Sequence, residues 1–127
     1  MAQAPGKLVI VLWAAGPERP DLAAAPFVYA QAARAMDIEV EMHYTATAVR
    51  WLVPGVAAAA FADGARTRSI LDYIRDTRGA GVRHFACAMA LARHGGGAAL
   101  IEEADGIAGA ATVVGAAMQA GVRTLVF

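Results

Sequence analysis

Gly81-Val82-Arg83-His84-Phe85-Ala86-Cys87-Ala88-Met89-Ala90-Leu91-Ala92-Arg93-His94-Gly95 changes character at its middle. The first half reads as a short strand, and the second as an alanine-rich helix stopped by glycine. The junction falls on Cys87, the only cysteine in the chain. A strand that hands over directly to a helix is the unit from which parallel sheets are built. At such a junction the first helical amides are unpaired and the helix dipole is positive. A thiol placed there is drawn toward the thiolate form. Free cysteine is also among the most buried residue types. The residues by themselves therefore leave two readings of Cys87 open, nucleophile and small core residue.

The same alternation of elements extends in both directions. Residues 7–13 (KLVIVLW) follow a Pro-Gly breaker as a continuous apolar run, the pattern of a strand buried on both faces. Residues 21–36 read as a helix, with Asp21 as N-cap and Phe27, Val28, Ala32 and Met36 on one face. Residues 38–44 (IEVEMHY) alternate, setting Ile38, Val40, Met42 and Tyr44 against a more exposed side of Glu39, Glu41 and His43. A short helix is expected over 45–53, stopped by Pro54-Gly55, and another over 67–78, closed by Gly79. Gly95-Gly96-Gly97 is a break, and residues 98–105 read as a short helix or an edge strand. A small-residue helix over 108–120 and a last strand over 122–127 complete the chain. The expectation is one α/β domain over residues 1–127, with three α/β/α layers in the Rossmann manner and a mostly parallel sheet of about five strands.

Composition narrows the function. The chain has 127 residues, 58% hydrophobic and 17% charged, enough for a core without disulfide or metal staples. Much of the apolar excess is alanine and glycine, and surplus apolar surface is covered by self-association, so a homo-oligomer is expected. Eleven basic residues balance eleven acidic ones, which leaves no electrostatic footprint for nucleic acid. The arginines at 66, 68, 75, 78 and 83 are interleaved with Asp63, Asp72 and Asp76, and Arg68 and Asp72 have the spacing of a helical ion pair. A lone cysteine and a start without signal-peptide character point to the cytoplasm. The longest uncharged run, 106–122, is short of a membrane span and contains Gln119.

Motif chemistry is mostly excluded. His84 and Cys87 are an odd number apart on a strand and face opposite sides of the sheet, and no His-x-x-x-His or second cysteine supplies zinc spacing. No metal is expected, and His43 and His84 are placed at surface or half-buried positions. The His94-Gly95-Gly96-Gly97 run has no Gly-x-Ser-x-Gly partner, since the only serine is Ser69. The turn Ala14-Ala15-Gly16-Pro17-Glu18 matches neither nucleotide-binding loop, and no cofactor is expected. In open α/β sheets the ligand crevice lies at the carboxyl ends of the strands. Three such ends define a candidate pocket: Trp13 after the first strand, Tyr44 and Thr45 after the second, and Cys87 after the third, with Trp51 as a cover.

The segment Cys87-Ala88-Met89-Ala90-Leu91-Ala92-Arg93-His94-Gly95 resembles the DsrE/DsrF-like family, which includes bacterial sulfur-relay subunits of the TusD type. The shared pattern is a strand ending in cysteine, an alanine-rich helical turn, then arginine and glycine. Ile38-Glu39-Val40-Glu41-Met42-His43-Tyr44-Thr45 and the ending Thr124-Leu125-Val126-Phe127 fit the same pattern, which spans nearly the whole length. The resemblance implies a Rossmann-like subunit that assembles into trimers or hexamers. It further implies that Cys87 accepts a sulfane sulfur as a persulfide, from a small sulfur-carrier or rhodanese-like protein, and hands it on. Arg93 and His94 would then steady the thiolate or orient a partner's tail. His94 stands where TusD-type chains carry a second arginine.

Overall fold

The computed structural model describes residues 6–127. The strands are β1 (Lys7–Leu12), β2 (Glu39–Tyr44), β3 (Arg83–Cys87), β4 (Gly106–Ala108) and β5 (Val122–Val126). They form one sheet in the order β4-β3-β2-β1-β5, and every neighbouring pair is parallel. The helices are α1 (Ala24–Ala35), α2 (Ile70–Gly79), α3 (Ala88–His94) and α4 (Ala110–Ala117). Short 3₁₀ segments occupy Pro20–Leu22, Ala46–Leu52 and Ala57–Ala59. The expected α/β fold with a parallel five-stranded sheet is thus the observed one.

Connectivity explains where the helices lie. From β1 to β4 each strand is added on the same side of the last, so right-handed crossovers put α1, α2 and α3 on one face. The chain then returns past three strands to place β5 beside β1. The same handedness puts α4 on the opposite face. The core is correspondingly one-sided. Ile10, Leu12, Val40, Met42, Tyr44 and Ala86 turn toward Phe27, Ala30, Ile70, Ile74, Trp51 and Leu52, all buried. Each fully buried side chain of this size stabilises the fold by about 2 kcal/mol. By contrast, α4 has no buried residue.

Several local expectations are corrected. The inward face of α1 is Phe27, Ala30 and Ala33, whereas Val28 and Met36 are exposed. Asp21 does not cap α1, because Arg19 holds its carboxylate through two nitrogens at 2.9 and 2.8 Å. The cap that does form is at α2: Ser69 Oγ accepts the Asp72 amide and the Asp72 carboxylate accepts the Ser69 amide. Since Asp72 is engaged in that box, Arg68 pairs with Asp76 instead and lies over the Tyr73 ring. Gly79 is the last residue of α2, and the positive backbone φ of the turn falls on Gly81, at 99°. Residues 98–105 form neither helix nor strand, and the edge strand is the three-residue β4 that follows. The final helix accordingly begins at Ala110 and ends at Ala117, inside the expected 108–120.

The histidines are the largest departure. His43 and His84 are 4% and 0% exposed, so neither is a surface or half-buried residue. His84 sits between Tyr44 and Thr77, with Nδ1 2.8 Å from the phenol oxygen and Nε2 3.1 Å from Thr77 Oγ1. Thr77 already donates its hydroxyl proton to the carbonyls of Tyr73 and Ile74. It must therefore accept from His84 Nε2–H, which leaves Nδ1 to accept the Tyr44 O–H. A neutral imidazole satisfies every partner, and a charged one would not. Burial is the main cause that lowers the His84 pKa to about 4; Arg78 adds to it and Asp105 opposes it.

A histidine held below its ordinary 6.5 binds its proton more readily in the unfolded chain. Its contribution to stability is complete above that pH and is lost as pH falls toward 4. Urea unfolding should show a loss of roughly 3 kcal/mol across this window. His84→Asn should flatten the profile there; an unchanged slope in that variant would contradict the assignment.

Candidate functional site

In a parallel sheet, a crevice forms where adjacent strands send their connections to opposite faces. Here that place lies between β3, which runs into α3 on the core face, and β4, which runs into α4 on the other. Cys87 and Ala108 are partners in register at the carboxyl ends of these two strands. Beside them is a cavity of about 160 Å³ lined by Val11, His43, Thr45, Cys87, Ala108, Gly109, Ala110, Val113 and Val114. The sequence puts small residues at 108–110, so the backbone passes close to the sulfur without filling the space. Val113 and Val114 of α4 form the apolar roof.

Cys87 is half-buried and is the N-cap residue of α3. Burial raises the pKa of its thiol, but the Thr45 hydroxyl and the Ala90 and Met89 amides together outweigh burial and bring it below the ordinary value. Sγ completes no capping hydrogen bond of full geometry. The amides favour the charged form without fixing the sulfur, which leaves it free to react.

A charged cluster adjoins the cavity on the same face of the sheet. Glu41 accepts from Lys7 Nζ at 2.6 Å, from Arg83 and from His43 Nε2 at 3.1 Å. Burial raises the Glu41 pKa, but the bonds from Lys7 and His43 and the charges of Lys7 and Arg83 overcome it, so the carboxyl is held below its usual range. His43 lies flat against the Phe85 ring, with centroids 5.2 Å apart. The alternation in 38–44 thus places Glu41 and His43 on the side away from the core, as read, but this side is covered rather than exposed. Their neighbours on β1 and β3 are the reason, since β2 is an interior strand.

Of the residues singled out in the sequence, the structure brings Cys87 and Thr45 together at the cavity. Tyr44 and Trp51 are elsewhere. Tyr44 points to the core face, one residue out of phase with Thr45, and Trp51 is buried with its Nε1 donating to the Ala15 carbonyl at 2.6 Å. Trp51 therefore props the loop after β1 from within instead of covering the pocket. Trp13 is 55% exposed and does not line the cavity. Arg93 is exposed and His94 half-buried at the far end of α3, about 9 Å along the helix from Cys87. A basic side chain is favoured at that end by the dipole. The residues that sequence reasoning missed are His43, Val11 and the 108–114 segment. For His43 the strand alternation carried the signal, because it shares a face with Cys87.

A larger recess of about 520 Å³ is bounded by Arg75, Arg78, Gly79, Glu102 and Glu103. Its two arginines are already paired, Arg75 with Glu103 at 2.8 Å and Arg78 with Asp105 at 3.7 Å, and no nucleophile lines it. Among the described residues no group of three metal-ligating side chains is gathered, and no helix is long and apolar enough to cross a membrane.

The family model of the DsrE/DsrF-like family matches residues 7–127. The chain belongs to the DsrE/DsrF-like family. In fold, this family member is similar to the crystal structure of the YchN protein from E. coli, with a TM-score of 0.76 at 18% sequence identity. The superposition covers 96% of this chain and 99% of that one. No curated protein shows significant similarity to it. Within the DsrE/DsrF-like fold, then, Cys87 occupies the one place where the connections part.

Thr45→Val removes the hydroxyl beside the sulfur at nearly constant volume. Alkylation of Cys87 by iodoacetamide at neutral pH should slow by up to about tenfold, with its pH midpoint shifted upward. A rate equal to that of the wild type would show that Thr45 does not hold the thiolate.

Proposed function

We propose that this DsrE/DsrF-like protein is a sulfur carrier of the sulfurtransferase class, holding sulfane sulfur as a persulfide on Cys87. The observation that carries this reading is the thiol's setting. A cysteine favoured as thiolate faces a cavity of about 160 Å³. Sites for drug-sized ligands and cofactors run to about 300 Å³ and more. A persulfide tail needs far less. The nearly apolar walls suit polarizable sulfur and keep water from competing for it.

The transfer balances without an external oxidant. The Cys87 thiolate attacks the terminal sulfur of a donor R–S–SH, a sulfur–sulfur bond forms to Sγ, and the donor's own sulfur–sulfur bond breaks. The donor leaves as R–S⁻ and takes up a proton. An acceptor thiolate repeats the exchange and regenerates Cys87. A small sulfur-carrier or rhodanese-like protein is the donor this chemistry calls for, and the reducing cytoplasm is the setting that keeps a lone thiol free. Arg93, exposed at the far end of α3, is available to a partner's tail.

The carrier works as a homo-oligomer, a trimer or hexamer. Val114 and Met118 in and just after α4 are 60% and 80% exposed, and Val126 on the edge strand β5 is 60% exposed. Such apolar surface on the thinly covered face is what a second copy would bury. Sedimentation of the wild type should give a species above the monomer mass, and Met118→Glu should shift it toward monomer. A wild type that sediments as a monomer at micromolar concentration would overturn the assembly.

Carriage itself is read by mass spectrometry. After incubation with glutathione persulfide, the peptide containing Cys87 should gain one sulfur atom, released by a thiol reductant, and Cys87→Ser should gain none. If Cys87 alkylates freely yet takes up no sulfur, the carrier reading is overturned; a Cys87 that resists both reagents is a structural cysteine in an assembly subunit.

A further inference from the structure

Among the described residues that line the cavity, His43 is the buried titratable group that the transfer above leaves unused. Its only side-chain hydrogen bond runs from Nε2 to Glu41, at 3.1 Å. Glu41, held charged by Lys7 and Arg83, can only accept, so Nε2 carries the proton and Nδ1 is the free basic nitrogen. Among the described residues no buried side-chain nitrogen or oxygen lacks a partner. Nδ1, having none, is therefore not sealed in, and His43 is one of the residues that line the cavity. Val11, Val113 and Val114 offer it no polar group there.

Register fixes its relation to the sulfur. His43 pairs with Phe85, and Cys87 is two residues further along β3 on the same face. Two such positions on adjacent strands lie about 8 Å apart at Cα. A molecule in the cavity, or one water, spans them.

We propose that His43, oriented by Glu41, is the general base and acid of the Cys87 site, passing the thiol proton to the departing donor. The proposal rests on the persulfide reading. The donor is R–S–SH, as above, and the base acts where Cys87 still carries its thiol proton. His43 Nδ1 takes the proton from Cys87 as Sγ attacks the terminal sulfur. It returns that proton to R–S⁻ as the donor's sulfur–sulfur bond breaks. The products are Cys87–S–SH and R–SH, with one sulfur–sulfur bond broken and one formed, no net change in oxidation state and neutral His43 restored.

The surroundings suit the task. Burial is the main cause that lowers the His43 pKa; Lys7 and Arg83 add to it, while the Glu41 bond and charge oppose it. The ring is therefore neutral and ready to accept at physiological pH. The charged or titratable groups facing it are Glu41 on β2, Lys7 on β1, and Arg83 and Cys87 on β3; α4 contributes none.

The test uses the full chain with glutathione persulfide as donor and follows sulfur uptake against pH, beside alkylation by iodoacetamide. In His43→Gln, uptake at neutral pH should fall by about a hundredfold, with alkylation at neutral pH unchanged within about twofold. Wild-type uptake should fall with acid as His43 becomes protonated, below the ordinary histidine range, and this limb should be missing in the variant. Glu41→Gln, which keeps the ring nitrogen but loosens its orientation, should fall between the two. Equal loss of uptake and alkylation in His43→Gln would mean a structural role and would overturn the proposal, as would uptake at the wild-type rate. Should the wild type itself take up no sulfur, the persulfide reading fails first; uptake by wild type and variant alike rejects only the role of His43.

Discussion

Right-handed crossovers leave a parallel sheet ordered β4-β3-β2-β1-β5 with a single point at which successive connections part to opposite faces. That point is fixed by the return from β4 to β5, and the rest of the molecule is arranged around it. It separates α3 from α4, opens the cavity, and places the last residue of β3 at its wall. It also makes the two faces unequal. Three helices and the 3₁₀ segments bury one face in a dense apolar core, and α4, with no buried residue, screens the other. The sulfur of Cys87 stands on the thinly covered side.

The two faces treat a buried histidine in opposite ways. His84, on the core face, is locked between Tyr44 and Thr77 with both ring nitrogens satisfied, and its neutrality is a condition of stability. His43, on the cavity face, has one nitrogen held by a charged carboxylate and the other free. Lys7 and Arg83 help keep Glu41 ionised, and burial is the main cause that holds His43 beside it below its ordinary pKa. The same chain thus locks one imidazole into the core by both nitrogens and holds the other by one.

The readable parts of the sequence were those with a period or an abrupt change of period. KLVIVLW, IEVEMHY and the Arg83–Cys87 strand announced themselves as strands, and the change at Cys87 placed the sulfur at a strand end. What escaped was set by contacts distant in sequence. Gly106–Ala108 is too short to show alternation, and only its pairing with β3 makes it a strand. The α1 face was misassigned because alanine gives almost no contrast between inside and outside. Tyr44 and Trp51 were drawn toward the pocket by their closeness to a strand end, but a one-residue change of phase turns Tyr44 to the core, and the Ala15 carbonyl holds Trp51 there. His43 reads as surface or half-buried because its cover, the Phe85 ring of β3, is distant in sequence. The Arg93 placement shows the limit of adjacency along the chain, since one short helix separates it from the sulfur it follows.

The central claim is that the sulfur on Cys87 is in transit. The most direct measurement loads the protein with sulfane sulfur labelled isotopically, removes the donor, and then adds an acceptor thiol. The label should leave Cys87 and appear on the acceptor as a persulfide, with the Cys87 thiol regenerated and ready for a second cycle. Label that stays on the protein, or that reaches the acceptor equally well from Cys87→Ser, would contradict it.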